Sequence, residues 1–223
     1  QNVQHIQVSA FDFAAILGDS SVVSWGDGSR VRERLKNVQQ IQASDRAFAA
    51  ILGDGTVVSW GHADAGGDST AVKERLKNVQ QIQASRAAFA AILGDGTVVT
   101  WGLVDHGGDS GAVQHLLKNV QQIQASRFAF AAILDDGSVV TWGNAEASDR
   151  AFAAILGDGT VVSWGHADAG GDSTAVKERL KNVQQIQAYF SGFAFAGVLG
   201  GCGGDSSAVQ APLKKVQQIQ ASH

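Results

Sequence analysis

Methionine is absent from the 223 residues, and proline, cysteine and tyrosine occur once each. A lone Cys202 excludes an intramolecular disulfide and any multi-cysteine metal site, and it favours a reducing, intracellular compartment. One proline against 27 glycines suits many tight turns and excludes collagen-like or proline-rich linker structure. No apolar run approaches the ~20 residues that span a bilayer. Charge is sparse, at 17% Asp, Glu, Lys and Arg, with a net charge of −4. No Lys/Arg cluster is dense enough to track a phosphate backbone, which argues against nucleic acid as a direct partner. Apolar residues reach 44%, the balance of a soluble, globular chain and not a disordered one. Neither a start methionine nor a signal peptide is visible, so the chain is expected to begin inside a longer precursor or after processing.

What the chain has in abundance is itself. Residues 43–84 recur, identical at all 42 positions, as residues 147–188. Trp-Gly recurs at Trp25, Trp60, Trp101, Trp142 and Trp164, and Val-Gln-Gln/His-Ile-Gln starts at Val3, Val38, Val79, Val120, Val183 and Val216. Complete copies are 41 residues apart, a period that belongs to solenoids, arrays and propellers. Residues 1–223 therefore read as a single repeat domain, with units starting near 3, 38, 79, 120, 147/183 and 216.

Within one unit, Ala47 to Leu52 is an apolar run, followed by Gly53-Asp54-Gly55 and then Thr56 to Trp60. Two such runs joined by Asp-Gly predict a β-hairpin, the glycine (Gly55, Gly96, Gly137, Gly159) supplying positive φ. Both strand faces are apolar: Phe48, Ala50 and Leu52 on one, Ala47, Ala49 and Ile51 on the other. Such a hairpin must be covered on both sides, which predicts sheets stacked against one another. From Thr70 to Asn78, Val72, Leu76 and Val79 keep helical spacing, so a helix competes with strands. Pro212 in a corresponding copy, and the need for more than one hairpin per unit, favour strands.

These residues resemble the regulator-of-chromosome-condensation (RCC) repeat family. The likeness rests on Ile82-Gln83-Ala84-Ser85, Phe89 to Leu93, Asp95-Gly96, Val98 to Gly102, Gly107-Gly108 and Val113…Leu116, and it extends over essentially the whole chain. The resemblance implies an all-β propeller of stacked antiparallel blades, each of four strands and usually seven in number. The present units give about six or seven blades, one or two of them irregular. The loop after Trp25 is about six residues short; about 19 residues are missing between Trp142 and Ala147, and about ten between Leu199 and Asp205. The second gap removes a Val-Gln-Gln-Ile-Gln strand and the third a tryptophan strand, so open sheet edges are expected there. An intact mass of 23.2 kDa would show that these stretches are truly missing from the polypeptide.

Candidate sites follow the repeat. The five tryptophans occupy one structural position each, where a large aromatic packs a core. His62, Asp64 and Asp68, with their copies His166, Asp168 and Asp172, mark loops that could meet a partner. As metal sites they offer too few oxygens for Ca²⁺, so neither metal nor cofactor is expected. Glutamines 39, 40, 42, 80, 81 and 83 form a ladder that could bond between blades or line a channel; solvated surface strands are the plainer reading. A catalytic triad is one asymmetric constellation, and residues that recur with the period argue against an enzyme. The resemblance implies a protein-interaction scaffold, as family members act on a small GTPase, on chromatin, in ubiquitin ligases and on a β-lactamase. A self-associating structural protein is the alternative, and a loop-based glycan or metal binder a lesser one.

Overall fold

The structure is a computed structural model that describes residues 2–26 and 35–144, together with the backbone of five later strands. It is all-β, a succession of small antiparallel sheets. The first holds β1 (Val3–Val8), β2 (Asp12–Leu17) and β3 (Val22–Gly26). The second holds β4 (Val38–Ala43), β5 (Ala47–Leu52) and β6 (Val57–Gly61), and the third β7 (Val79–Ala84), β8 (Ala88–Leu93) and β9 (Val98–Gly102). β10 (Val120–Ala125), β11 (Ala129–Leu134) and β12 (Val139–Gly143) make the fourth. In each, strands pair in sequence order with the Phe-Ala-Ala-Ile-Leu strand in the middle, preceded by Asp12 in the first sheet and by alanine in the other three. These sheets have three strands and not the four that the family resemblance implied.

Local chemistry accounts for each sheet. In the hairpin between β5 and β6, the Gly55 amide donates to the Leu52 carbonyl at 2.9 Å, and the Leu52 amide donates to the Thr56 carbonyl at 2.9 Å. The three-residue loop needs positive φ at Gly55 alone, where φ is 76°. A β-carbon at Gly55 would sit 3.0 Å from Asn78 Cα of the following unit. The same turn in the first sheet carries Ser20, held at φ 57° with no glycine to absorb it. Each first strand bulges after its opening valine: Val38 opposes Leu52, while Gln40 opposes Ile51. The extra residue, Gln39, is thrown to solvent.

Packing follows the predicted two-faced pattern. Ala14, Ile16 and Val22 of the first sheet cover Val38, Ile41, Phe48, Ala50 and Trp60 of the second. Ala47, Ala49 and Ile51 in turn cover Val79, Ile82, Phe89, Ala91 and Trp101 of the third. The third and fourth sheets repeat the arrangement through Ala88, Ala90 and Ile92 against Ile123, Phe130 and Trp142. Phe48, Phe89 and Phe130 are completely buried, each contributing roughly 1.5–3 kcal/mol of hydrophobic stabilisation. Alanines on the covering face let backbones close on the aromatic rings. The first strands of successive sheets are neighbours, as fan blades meet at a hub. Backbone bonds join the sheets as well, from the Val38, Val79 and Val120 amides to the Ser20, Gly55 and Gly96 carbonyls, each at 2.9 Å.

Two expectations need correction. Thr70–Arg75 is a 3-10 helix and not a strand. Only Val79–Ala84 of that half of the unit joins a sheet, because Ser69 to Leu76 must bridge from one sheet to the next. The second concerns the edge expected where the strand before Ala147 is missing. β13 (Ala151–Leu156) pairs with β14 (Val161–Gly165) and, on its other side, with β15 (Val183–Ala188). The register is Phe152 to Ala188, Ala154 to Ile186 and Leu156 to Val183, matching Phe48 to Ala43, Ala50 to Ile41 and Leu52 to Val38. A strand from downstream thus takes the vacant first position. β16 (Phe195–Val198) and β17 (Gln218–Ala221) do likewise, with Phe195 opposite Ala221. β15 lies against β11, continuing the stack. Among the described residues no helix is long and apolar enough to cross a membrane.

Candidate functional site

The tryptophan positions act on the loops. Trp60, Trp101 and Trp142 are buried and stack on Phe48, Phe89 and Phe130 with centroids 5.3, 5.3 and 5.4 Å apart. Trp101 Nε1 donates to the Gly66 carbonyl at 3.0 Å, and Trp142 Nε1 to the Gly107 carbonyl at 3.1 Å. Each ring thereby clips the glycine loop of the preceding unit. Gly66 (φ 89°) closes on the ring of Phe89, where a β-carbon would stand 2.6 Å from Cδ2. Among the described residues Trp60 Nε1 is buried without a partner, and the sequence after Trp25 is the short one with no Gly-Gly pair. Trp25 is 45% exposed. Gly96 and Gly137 repeat the Gly55 turn at φ 76° and 74°. Trp164, His166, Asp168, Asp172 and Gly159 lie outside the residues whose side chains the structure describes, as does Cys202.

In the described loop, His62 and Asp64 are exposed, with Nδ1 and Oδ2 3.9 Å apart. Asp68 turns away to accept the Thr70 amide at 2.9 Å. Hydrogen bonds from Thr70, side chain first and then backbone, hold the Asp68 carboxyl below its ordinary range. Among the described residues no group of three or more His, Cys, Asp or Glu is placed to hold a metal ion.

The two ends of the sheets differ in chemistry. At the hairpin end, Asp54 and Asp95 accept hydrogen bonds from the hydroxyl (2.6 Å) and amide (2.9 Å) of Thr56 and Thr97. Those bonds hold both carboxyls below their usual range. A cleft of about 660 Å³ opens there between the third and fourth sheets, lined by the amides of Asn78, Gln80, Gln81, Asn119 and Gln121 and by Asp95 and Asp135. Glutamine also bonds between blades: Gln40 Nε2 donates to the Ile82 carbonyl of the next first strand at 3.4 Å. Solvated strand surface is therefore not the whole role of this ladder.

The opposite end is formed by the turns between first and second strands, and sequence reasoning missed it. Ser44 caps its turn, accepting the Ala47 amide at 3.1 Å and donating to the Ala65 carbonyl at 2.9 Å; Ser85 donates to the His106 carbonyl at 2.8 Å. Backbone bonds run from turn to turn, from the Ala10 amide to the Asp45 carbonyl (3.0 Å), Asp45 to Arg86 (2.9 Å) and Arg86 to Arg127 (3.1 Å). Arg86 Nε pairs with Asp45 Oδ2 at 2.8 Å. Arg46 lies over the Phe11 ring at 4.9 Å and Arg127 over Phe128 at 5.3 Å. Leu103 and Val104 are exposed at the same end, where the Leu103 amide meets the Ala87 carbonyl. His106 packs on Phe128 at 4.6 Å. Burial, then the charge of Arg86, lowers its pKa. The one available signal was an Asp or Arg after the turn serine in the second, third and fourth units, at Asp45, Arg86 and Arg127, where the first unit has Ala10.

No protein-family model matches the chain, and no curated protein is detectably similar to it in sequence. Solved structures do match in fold. Prp20p from Saccharomyces cerevisiae, studied for its binding to Gsp1p and histones, superposes with a TM-score of 0.54 at 16% identity, over 81% of this chain and 63% of that one. Yeast RCC1 (Prp20) bound to Kap60 gives 0.53 at 16% identity, over 75% and 56%. Human WBSCR16 gives 0.47 at 17% identity, over 63% and 47%. The chain spans about half the length of structures such as WBSCR16 and Kap60-bound RCC1. At this identity the likeness establishes the fold alone, an all-β stack of propeller type.

Proposed function

We propose that the chain is a non-catalytic protein-interaction scaffold of the RCC-repeat propeller type, docking a partner protein on its turn-arginine end. The observation that carries this reading is the surface made by Phe11 with Arg46, Phe128 with Arg127, and the exposed pair Leu103 and Val104. Arginine and aromatic side chains beside bare aliphatics are the composition of interaction hot spots. The chained backbone bonds between turns hold that surface rigid, which limits the ordering entropy lost on binding. One propeller that shares this fold, yeast RCC1 (Prp20), is solved bound to Kap60 and has binding properties toward Gsp1p and histones. The non-catalytic part of the reading is supported by repetition, since like units offer like side chains where a reacting centre needs unlike ones.

The test is capture from a native extract on immobilised protein, with Val104→Glu and Arg127→Glu as comparisons. Saturable capture of a protein, reduced at least about tenfold by either substitution, is expected for a hot-spot residue. Absence of any saturable partner, or capture unchanged in both variants, overturns the reading.

A further inference from the structure

The sheets are not equally filled. In the first five, the middle strand lies between a Val-Gln-Gln/His-Ile-Gln strand and a Val-Val-Ser/Thr-Trp-Gly strand. The five Val-Val-Ser/Thr-Trp-Gly segments are β3, β6, β9, β12 and β14, each paired with the second strand of its own unit, and the sequence holds no sixth. The last sheet consists of β16 and β17. Its pairs of Phe195 with Ala221 and Gly197 with Ile219 match those of Phe152 with Ala188 and Ala154 with Ile186. By register β16 is therefore a middle strand, and among the described residues no strand lies on its other side. Ladder geometry identifies the backbone groups there. The Leu52 amide bonds to the Thr56 carbonyl on the β6 side, and bonds to one neighbour recur at every second residue of an antiparallel strand. The backbones of Ala50 and Phe48 thus also serve β6, and their counterparts in β16 are Gly197 and Phe195. Two amides and two carbonyls are presented to the vacant slot.

We propose that the vacant edge of β16 is a strand-acceptor site, which takes an extended Val-Val-Ser/Thr-Trp-type segment of another polypeptide as the third strand of the last sheet. The occupant follows from precedent within the chain. All five filled sheets place this strand type, antiparallel, on this side of the middle strand, and none places a middle-type or first-type strand there. In the register of the fifth sheet, Phe152 to Trp164, Ala154 to Val162 and Ile155 to Val161, the guest's tryptophan falls opposite Phe195. Its second valine falls opposite Gly197 and its first opposite Val198. Backbone bonds supply the affinity of such strand addition, and alternate side chains supply the selection. Filling a slot from outside the unit is already the rule in this region, since β15 and β17 both reach theirs from downstream. The chain has no strand of this type to spare, because its five are in use. Between Leu199 and Lys215 it offers four glycines around Cys202 and then Pro212, where a third strand calls for β-branched residues. The proposal does not depend on the turn-arginine end, and a partner bound there leaves it unchanged.

The experiment titrates the full chain against a fluorescently tagged synthetic peptide, Gly-Asp-Gly-Thr-Val-Val-Ser-Trp-Gly, and reads anisotropy. Saturable one-to-one binding is expected. Two altered peptides then test the mode. N-methylation of the second valine, whose amide meets the Gly197 carbonyl in this register, should weaken binding at least about tenfold. N-methylation of the neighbouring serine, whose amide faces away from β16, should change it less than about threefold. With benzoylphenylalanine in place of the peptide's tryptophan, photo-cross-links mapped by mass spectrometry should fall on Phe195–Val198. Absence of saturable binding, equal effects of the two N-methyl groups, or cross-links to the first sheet or to another third-strand slot each overturns the proposal. So do copies of the chain that pair through β16 and shut the peptide out.

Discussion

Gly66→Ala should be among the most damaging single-methyl additions in the described residues. Gly66 has φ 89°, and an added β-carbon would stand 2.6 and 2.8 Å from Cδ2 and Cε2 of the completely buried Phe89. The left-handed backbone costs an L-residue about 1–2 kcal/mol. Overpacking against a ring fixed between two sheets adds about 1–3 kcal/mol. Any retreat of the loop also stretches the 3.0 Å bond from Trp101 Nε1 to the Gly66 carbonyl. We expect a loss of about 2–5 kcal/mol, which for a chain of this size lowers Tm by about 5–15 °C. Urea and thermal unfolding followed by tryptophan fluorescence and circular dichroism would measure it. Gly111→Ala is the control, because it is exposed, has no positive φ and meets only the Asp109 carboxylate. The control should stay within about 0.5 kcal/mol of the parent. Equal stability for the two variants would refute the claim that the glycine loop is clamped between Phe89 and Trp101.

Ser20→Gly should stabilise the first sheet by about 0.5–1 kcal/mol, since Ser20 holds φ 57° at a position that is glycine in the next three units; a destabilised variant in urea unfolding would contradict this. Trp101→Phe should cost about 1–2 kcal/mol more than Trp60→Phe, because the first strands the buried Gly66 carbonyl while the second removes an N–H that has no partner. Equal losses would show that the indole bond contributes nothing. His106 titrates below its ordinary value through burial, so protonation disfavours the folded state. Its contribution is present above the unfolded histidine pKa near 6.5 and declines as pH falls through the lower folded value. Replacing it by alanine, the residue at the matching position Ala65, should flatten the stability profile in that window. An unchanged slope would refute that assignment.

The hairpins and their two faces were legible because they depend on local chemistry. Alternation along Ala47 to Leu52 and the glycine at 55 fix strand, turn and burial without reference to anything distant. The role of the long loop was half legible. Its glycines announced tight turns, but Thr70–Arg75 became a 3-10 helix because the chain had a fixed gap to cross between sheets. The turn-arginine end was hidden, since Arg46, Arg86 and Arg127 acquire meaning only when Phe11, Asp45 and Phe128 are brought beside them.

The sequence by itself determined the repeat, the strand types and the side-chain set each sheet would bury, because these follow from period and alternation. Which strand fills which slot was decided only by tertiary structure. Copies of Val-Gln-Gln-Ile-Gln are interchangeable as text, and β15 enters the fifth sheet because a vacant edge there offers unpaired backbone groups. The exposed aromatic face of the first sheet has the same origin. Phe13 and Trp25 match Phe48 and Trp60 in type and spacing, and it is the sheet packed over Phe48 and Trp60 that makes that pair core, while Phe13 and Trp25 have no such cover among the described residues.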